Sequence, residues 1–434
     1  MKYLIKKTKA SSLNYTILLF ILITSLVSTI IYFNYYLKLQ QLSRLQKLET
    51  INNCQSGLNY LFATRNQPDI NRFDSVLNLG SGQDSIKVRS FPWGGYNILY
   101  SSVRKKNFMI ERIAMTANYR FSDSSSTLVL KDNDHPLCLC LNSIVNGKVF
   151  VPQAKIKYEL MNGQAFSGLR IERMLIRESE DSLPRLNRYF AQISINSLIE
   201  STSGKPGNEN ESNNLMTGDT LERSFKESTI VVYDKILMLD QIVAKGNIVF
   251  VSDSLVFVSK HCDLDGVIII GKEIVIEEGF EGIVQCFAKN KILVESKVIL
   301  KYPSGLFLIP DNLQKDSTNQ PNGIKSITIK ENAYVSGIIF TNYIYDIPHS
   351  YELSMNIEKN SIVKGLVYWT GSIQLKGEVS GQLFVNSFHI KNAFGYYDNY
   401  IADGIVSKDT INYNRWFPSL FKNKNNGEVV KWLN

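Results

Sequence analysis

Five cysteines, four histidines and a few close-set carboxylates are the side chains in this 434-residue chain with the chemistry to bind a metal or move a proton. The tightest sets are His135-Pro-Leu-Cys-Leu-Cys140 and His261-Cys262-Asp263-Leu-Asp265. The first offers three possible metal ligands, but no second cluster follows at a spacing that would close a tetrahedral site. Cys138 and Cys140 fall on one face of a strand, a poor geometry for bridging each other. With Cys54, Cys262 and Cys286 the total is odd, which excludes a fully paired disulfide framework. Small buried thiols are the simpler reading. In the second set the aspartates suit a turn ahead of the strand that starts at Gly266. Glu277, Glu278, Glu281 and Asp346 show no partner in sequence. Polysaccharide-cleaving enzymes need carboxylates gathered on one surface, and no such cluster is legible. No histidine sits in a nucleophile or zinc motif. No catalytic, metal or cofactor-binding residue is therefore nominated.

The elements that would position these groups are more readable. Seven times a glycine precedes a short apolar run: at Gly246, Gly266, Gly282, Gly305, Gly337, Gly365 and Gly381. Ile329-Lys-Glu-Asn-Ala-Tyr-Val-Ser-Gly-Ile-Ile-Phe340 aligns without a gap on Ile357-Glu-Lys-Asn-Ser-Ile-Val-Lys-Gly-Leu-Val-Tyr368. A recurring supersecondary unit is the mark of a stacked solenoid. In Ser326-Ile-Thr-Ile-Lys330 the two isoleucines share one face of a strand, as do Ile274 and Ile276 in Glu273-Ile-Val-Ile-Glu277. Inward aliphatic residues would stack strand on strand about 4.8 Å apart, so seven units make a rod of about 30–35 Å. The glycines are assigned to corners that need positive φ or a tight backbone approach.

Composition supports a globular, strand-rich protein. Apolar residues make up 44% and charged residues 20%, with 22 Tyr and 22 Phe against 11 Pro. Half of the net charge of +8 comes from Lys2, Lys6, Lys7 and Lys9, ahead of the first apolar segment. The remaining surface is nearly balanced, with no basic stripe for nucleic acid.

Leu13 to Leu37 contains no charged side chain, and about 20 such residues cross a bilayer core. Tyr15 stands near one end and Tyr32, Tyr35 and Tyr36 near the other, as an aromatic belt would. The preceding lysines orient the N-terminus to the cytoplasm. The segment is longer than a signal-peptide apolar region, and tyrosines occupy the cleavage position, so an uncleaved signal anchor is expected. Beyond it Leu39, Leu42, Leu45 and Leu48 recur at three-residue spacing, and Ile51, Leu58 and Leu61 continue the apolar positions.

The domain reading is a basic cytoplasmic tail (1–12), a transmembrane helix (13–37), an amphipathic stem helix (38–65), a β-rich domain (80–170) and a helical or flexible insertion (171–228). A parallel β-helix (229–392) and an aromatic C-terminal cap (393–434) follow. Arg89-Ser-Phe-Pro-Trp-Gly-Gly-Tyr-Asn-Ile-Leu-Tyr100 reads as a hairpin turning at Gly94-Gly95. Asn146-Gly147-Lys-Val-Phe-Val151 has the repeat's shape, so the solenoid could begin near residue 137 and be interrupted. Ser201 to Asn214 lacks any apolar residue and reads as a flexible loop. The cap carries Tyr396, Tyr397, Tyr400, Tyr413, Trp416, Phe417, Phe421 and Trp432, for which a sugar-binding platform is the alternative reading.

Three resemblances bear on these segments. The basic tail, apolar span, long stem with Asn53-Cys-Gln-Ser-Gly-Leu58 and β-rich head resemble a type IV pilin or minor pilin. That resemblance implies processing near Ala10-Ser11-Ser12; Tyr15 stands where pilins usually carry a glutamate. Ile357–Tyr368 and Gly377-Glu-Val-Ser-Gly-Gln-Leu-Phe384 resemble the polymer-forming bactofilin-like β-helices, a likeness covering roughly 245–392. Lys9-Ala-Ser-Ser-Leu13 with the Ser-Gly stem is similar to a recurrent envelope family of Bacteroidetes-type bacteria. Together they imply a mainly β, membrane-anchored structural or assembly component of a bacterial envelope. It would sit in the inner membrane with its bulk periplasmic or extracellular. The expected partners are the lipid bilayer and other envelope or pilin-like proteins. The alternative is a glycan-binding or polysaccharide-active β-helix.

Overall fold

The structure is a computed structural model that describes residues 11–65, 72–78, 85–105, 108–121, 125–203, 216–310, 325–343, 353–392, 395–408, 415–421 and 427–433. The basic tail through Ala10, most of the Ser201–Asn214 loop, Asp346 and Tyr413 lie outside these residues. The protein is mainly β, with one long apolar helix at its N-terminus.

Helix α1 runs unbroken over Ser11–Arg65. No proline interrupts it, and leucine and isoleucine fill its first half. Its described residues from Leu13 to Leu45 are exposed, whereas Thr50, Cys54, Leu58 and Leu61 are fully buried. The burying surface is an antiparallel meander of β1 (Phe73–Asn78), β2 (Ser85–Trp93), β3 (Tyr96–Lys105) and β4 (Phe108–Ala117). The strand Glu428–Leu433 adds to the free side of β4. Ile86, Val88, Leu99 and Val103 alternate onto the face that meets α1. The small residues of the stem have a steric purpose. A Cβ on Gly57 would run into the Ser101 hydroxyl, and the Cys54 thiol donates to the Ser101 carbonyl at 3.3 Å.

Beside a small parallel sheet of Ile156–Tyr158, Leu137–Cys140 and Tyr400–Ala402, most of the rest of the head is one large, closed and predominantly parallel sheet. Its registers form a continuous column: Val232, Phe250, Ile269, Cys286, Leu306, Ile339, Val367, Leu383, Leu128, Val149 and Ile176 lie side by side. All but Ile176 are buried in the main core. Ile274, Ile276, Ile327 and Ile329 join that core, as the alternation in their strands requires. The column does not follow chain order. The strands at 128–178 extend the ladder beyond Leu383, at the end remote from Val232, rather than preceding residue 230.

The expected boundaries shift accordingly. The β-rich segment 80–170 divides: 85–117 belongs to the antiparallel meander and 128–158 to the parallel system. Within 171–228, Ile176–Glu178 and Thr220–Arg223 are sheet strands. Their mixed composition, Ile-Arg-Glu and Thr-Leu-Glu-Arg, gave no apolar run to read. Two short helices, Arg188–Gln192 and Ile195–Ser203, lie between them in sequence.

One step along each strand, a second column faces outward: Phe287, Phe307, Phe340, Tyr368 and Phe384. Phe287 and Phe307 stack with centroids 4.3 Å apart, and the next three steps are 6.1, 5.9 and 6.2 Å. This aromatic wall is not solvated. Trp93 and Tyr96 of the meander, Tyr189, Phe190 and Leu198 of the short helices, and Phe417 and Leu420 near the C-terminus cover it.

Of the seven repeat glycines, Gly246, Gly266, Gly337, Gly365 and Gly381 have positive φ; Gly282 and Gly305 do not. Gly337, Gly365 and Gly381 are in register, with φ of 150°, 142° and 146°. A Cβ on any of them would strike the carbonyl oxygen of the strand before. Three other corners use Lys297, Asn332 and Asn360 in the left-handed region, at φ 57–60°. The residue after each points inward: Val298, Ala333 and Ser361 are buried.

Candidate assembly surface and the placement of the reactive side chains

The reactive side chains serve packing. All five cysteines are free and buried. Burial pushes the Cys138 and Cys140 thiols up to about 11 and that of Cys286 up to about 12. Burial also raises Cys54 and Cys262. None carries the depressed pKa of a reactive thiolate. His135 is exposed at the surface, and its carbonyl accepts from Asn399 Nδ2 at 2.9 Å. No group of three His, Cys, Asp or Glu side chains able to hold a metal occurs among the described residues.

The turn is confined to Lys260 and His261: Asp263 and Asp265, expected in a turn ahead of Gly266, already lie in the strand Asp263–Ile276. The Cys262 thiol donates to the Leu239 carbonyl at 3.3 Å. Asp263 pairs with Lys245 at 2.8 Å, and Asp265 with Lys431 at 2.5 Å. Of the carboxylates that looked isolated in sequence, Glu277, Glu278 and Glu281 have partners on neighbouring strands or turns. Glu277 accepts from the Lys260 backbone N–H and the Ser259 hydroxyl, which lower its pKa. Glu278 pairs with Lys297 at 2.6 Å, Glu281 with Lys301, and Glu358 with Lys330 at 3.6 Å. These are largely exposed pairs between successive turns or strands, each worth about 0–1 kcal/mol.

The C-terminal aromatics do not form one platform. Tyr397 and Tyr400 pack against each other at 5.3 Å, beside the buried Cys140 cluster. The Tyr400 hydroxyl donates to Glu159. Phe417 stacks on Phe121 at 4.7 Å and Phe421 lies over Phe384 at 5.0 Å, so both seal the aromatic wall. Trp432 is on the edge of the antiparallel sheet and half exposed, with the Arg112 guanidinium 5.8 Å from its ring. It borders an open groove of about 560 Å³ lined by Glu111, Arg112 and Lys226. Burial alone would raise Glu111, but Lys226 at 2.7 Å and the Tyr100 hydroxyl at 2.6 Å outweigh it and hold the carboxyl low.

Two anchoring residues escaped the sequence reading. In the outward register Val249, Ile268, Gln285, Gly305, Ile338, Leu366 and Gln382, two glutamines interrupt apolar neighbours. Both are buried. Gln285 holds the tip of the β2–β3 hairpin: the Gly95 N–H donates to its Oε1 at 2.8 Å, and its Nε2 donates to the Trp93 carbonyl at 3.1 Å. Gln382 Nε2 donates to the Ser126 carbonyl at 2.9 Å, and the Tyr119 hydroxyl donates to its Oε1. A polar residue at an aligned position where other copies are apolar was the available signal.

The first two thirds of α1 is solvent-facing and apolar. From Leu13 to Leu37 every side chain is exposed, with no charge to oppose burial in lipid. The helix is long and apolar enough to cross a membrane. Leu39, Leu42, Leu45 and Leu48 continue the exposure at 46–61%. No family model, curated protein or solved structure matches the chain.

Proposed function

We propose that the protein is a membrane-anchored structural subunit of a bacterial envelope assembly, pilin-like in its stem, with the parallel head wound as a β-helix. The carrying observation is the division of α1: the first part is exposed and apolar, and the last turns are fixed to the head by Cys54, Leu58 and Leu61. A helix so joined transmits the position of the head to whatever holds its other end. The residues 1–9 carry lysines and no acid, which supports an N-in orientation with the head outside the cytoplasm.

The β-helix reading rests on the unbroken register from Val232 to Ile176 and on the glycine column, since stacked corners of identical backbone conformation are what a coiled ladder needs. The glycan reading keeps one foothold, the half-exposed Trp432 beside Glu111 and Lys226. Such a ring could stack on a sugar face.

The test is purification of the full-length protein from its native membrane in mild detergent. Co-purifying chains are identified by mass spectrometry, and the mature N-terminus is read in the same experiment. Envelope partners at fixed stoichiometry are expected, with a cut near Ala10 if the pilin likeness extends to processing. Recovery of the chain alone, uncut, together with thermal stabilisation by a polysaccharide, would overturn the assembly reading in favour of glycan binding.

A further inference from the structure

The back of the stem carries leucines that the protein's own head cannot reach. At 3.6 residues per turn, Thr50, Cys54, Gly57, Leu58 and Leu61 define the face docked on the meander, and Leu45 and Leu48 lie roughly 140–160° round the helix from it. Leu45 is 61% exposed and Leu48 57%. Higher on the same back face the side chains turn polar: Asn52, Ser56 and Asn59. The apolar patch is therefore bounded above, and below it Gln41 and Lys38 on the same face separate it from the apolar span. Leu45 and Leu48 sit about 12–16 Å along the axis from Leu37, beyond the hydrocarbon core. The bilayer does not cover them, and Lys38, Arg44 and Lys47 among them oppose sinking the helix further.

Charge selects the occupant. Between Met1 and Leu48 there is no acidic residue. Glu49, the first, is engaged by Lys105 of the meander at 2.9 Å. Lys38 and Arg44 flank the two leucines and are exposed, with no ion pair among the described residues. A parallel second copy would set these cations against their own equivalents at the same height, and like charges facing across a helix pair are unfavourable.

We propose that the Leu45–Leu48 face docks a parallel helix of a different single-pass membrane protein, one that carries Asp or Glu in the first turns after it leaves the bilayer. Resting on the assembly reading, this identifies the partner's anchor, not its head, as the contact. The leucines supply the apolar seam and the cations fix the partner's height.

The experiment places a photoreactive amino acid at Leu45 in the full-length protein in its native membrane, with Asn59 as the control position. Adducts are identified by mass spectrometry. The expected result is a heteromeric adduct from Leu45, not Asn59, whose partner has one apolar span followed within about three turns by acidic residues. Charge reversal of the flanking pair (Lys38→Glu with Arg44→Glu) should lower adduct yield about tenfold. Because both residues are exposed, thermal unfolding of the head should not move. A homodimeric adduct overturns the proposal and leaves the assembly reading standing. So does absence of an adduct from protein that still co-purifies with partners. Absence of both adduct and partners removes the assembly reading as well.

Discussion

The backbone N–H of Gly95 donates to the side-chain oxygen of Gln285 at 2.8 Å, across 190 residues of sequence. The other end of the same amide donates to the Trp93 carbonyl at 3.1 Å, so one side chain saturates the hairpin tip. The Tyr189 hydroxyl completes the lock by donating to the Gly94 carbonyl at 2.5 Å, and Trp93 Nε1 donates to the Gly266 carbonyl at 2.9 Å. This is where the meander that carries the stem is fastened to the parallel sheet. Gln285→Ala would leave a buried N–H and a buried carbonyl unpaired, each costing about 1–3 kcal/mol. A lowered urea midpoint is expected, with the meander losing amide-exchange protection before the parallel sheet. Simultaneous loss in both would show that they unfold as one unit.

The glycine column makes a sharper steric prediction. Gly365→Ala must place a methyl against the Gly337 carbonyl and the Phe417 ring, at a φ of 142°. Backbone strain of about 1–3 kcal/mol and overpacking of similar size should add. Gly218→Ala shares a positive φ but has nothing within 4 Å of the new methyl, so only the strain should appear. Equal unfolding midpoints for the two variants would refute the stacking.

The aromatic wall predicts a loss of packing with little change in the parallel backbone. Phe340 touches Phe307, Tyr368 and Phe190, and it is fully buried. Phe340→Ala should cost about 3–5 kcal/mol. Near-ultraviolet circular dichroism should fall while the far-ultraviolet strand signal at low temperature is retained.

Alkaline pH should destabilise the head through its thiols. Folding raises Cys286 to about 12 and Cys138 and Cys140 to about 11 from an ordinary value of 9.0. The folded chain therefore holds protons that the unfolded chain releases. Their contribution is whole below about pH 9 and is lost as pH climbs from there towards 11–12. Cys286→Ala should flatten part of that decline, read as unfolding midpoints at pH 7, 9 and 10.5. A thiol reagent at pH 8 should label none of the five until denaturant is added.

Stem and head should behave as one rigid piece. Gly57→Leu would force its side chain into Ser101, Ile86 and Val88 and lift the helix from the meander. Faster proteolysis within 50–65 is the expected readout, with destabilisation of about 1–3 kcal/mol.

Much of this was legible because it is local. The apolar span, the Gly94-Gly95 turn and the inward isoleucines of 274–276 and 327–329 follow from periodicity and turn chemistry. What stayed hidden is non-local. Nothing in Leu128-Val-Leu130 says that it pairs with Leu383 and not with an adjacent strand. The carboxylates of 277–281 looked unpartnered because their lysines sit on other strands or turns. Gln285 and Gln382 lay inside apolar runs, where a single polar residue reads as noise until the registers are aligned. The outward aromatic column was half visible as Gly-x-x-aromatic at Phe340, Tyr368 and Phe384, but only the structure shows what covers it.

The placement of Leu128 beside Leu383 orders events during biosynthesis. Ser126 and Gln382 are joined although 256 residues separate them. A ribosome delivers the 128–178 strands early, yet the strand they lean on, Glu378–Asn392, follows only after the strands from Val232 to Val367, and Ile405–Ser407, which pairs with it and with Ile144–Val145, emerges later still. Until Glu378–Asn392 emerges, Leu128–Leu130 pairs only with Val149 and Phe150 on one side and leaves its other edge open, and a chain halted before Gly381 never supplies that neighbour. Slow, late-closing folding is thus written into the order of the strands.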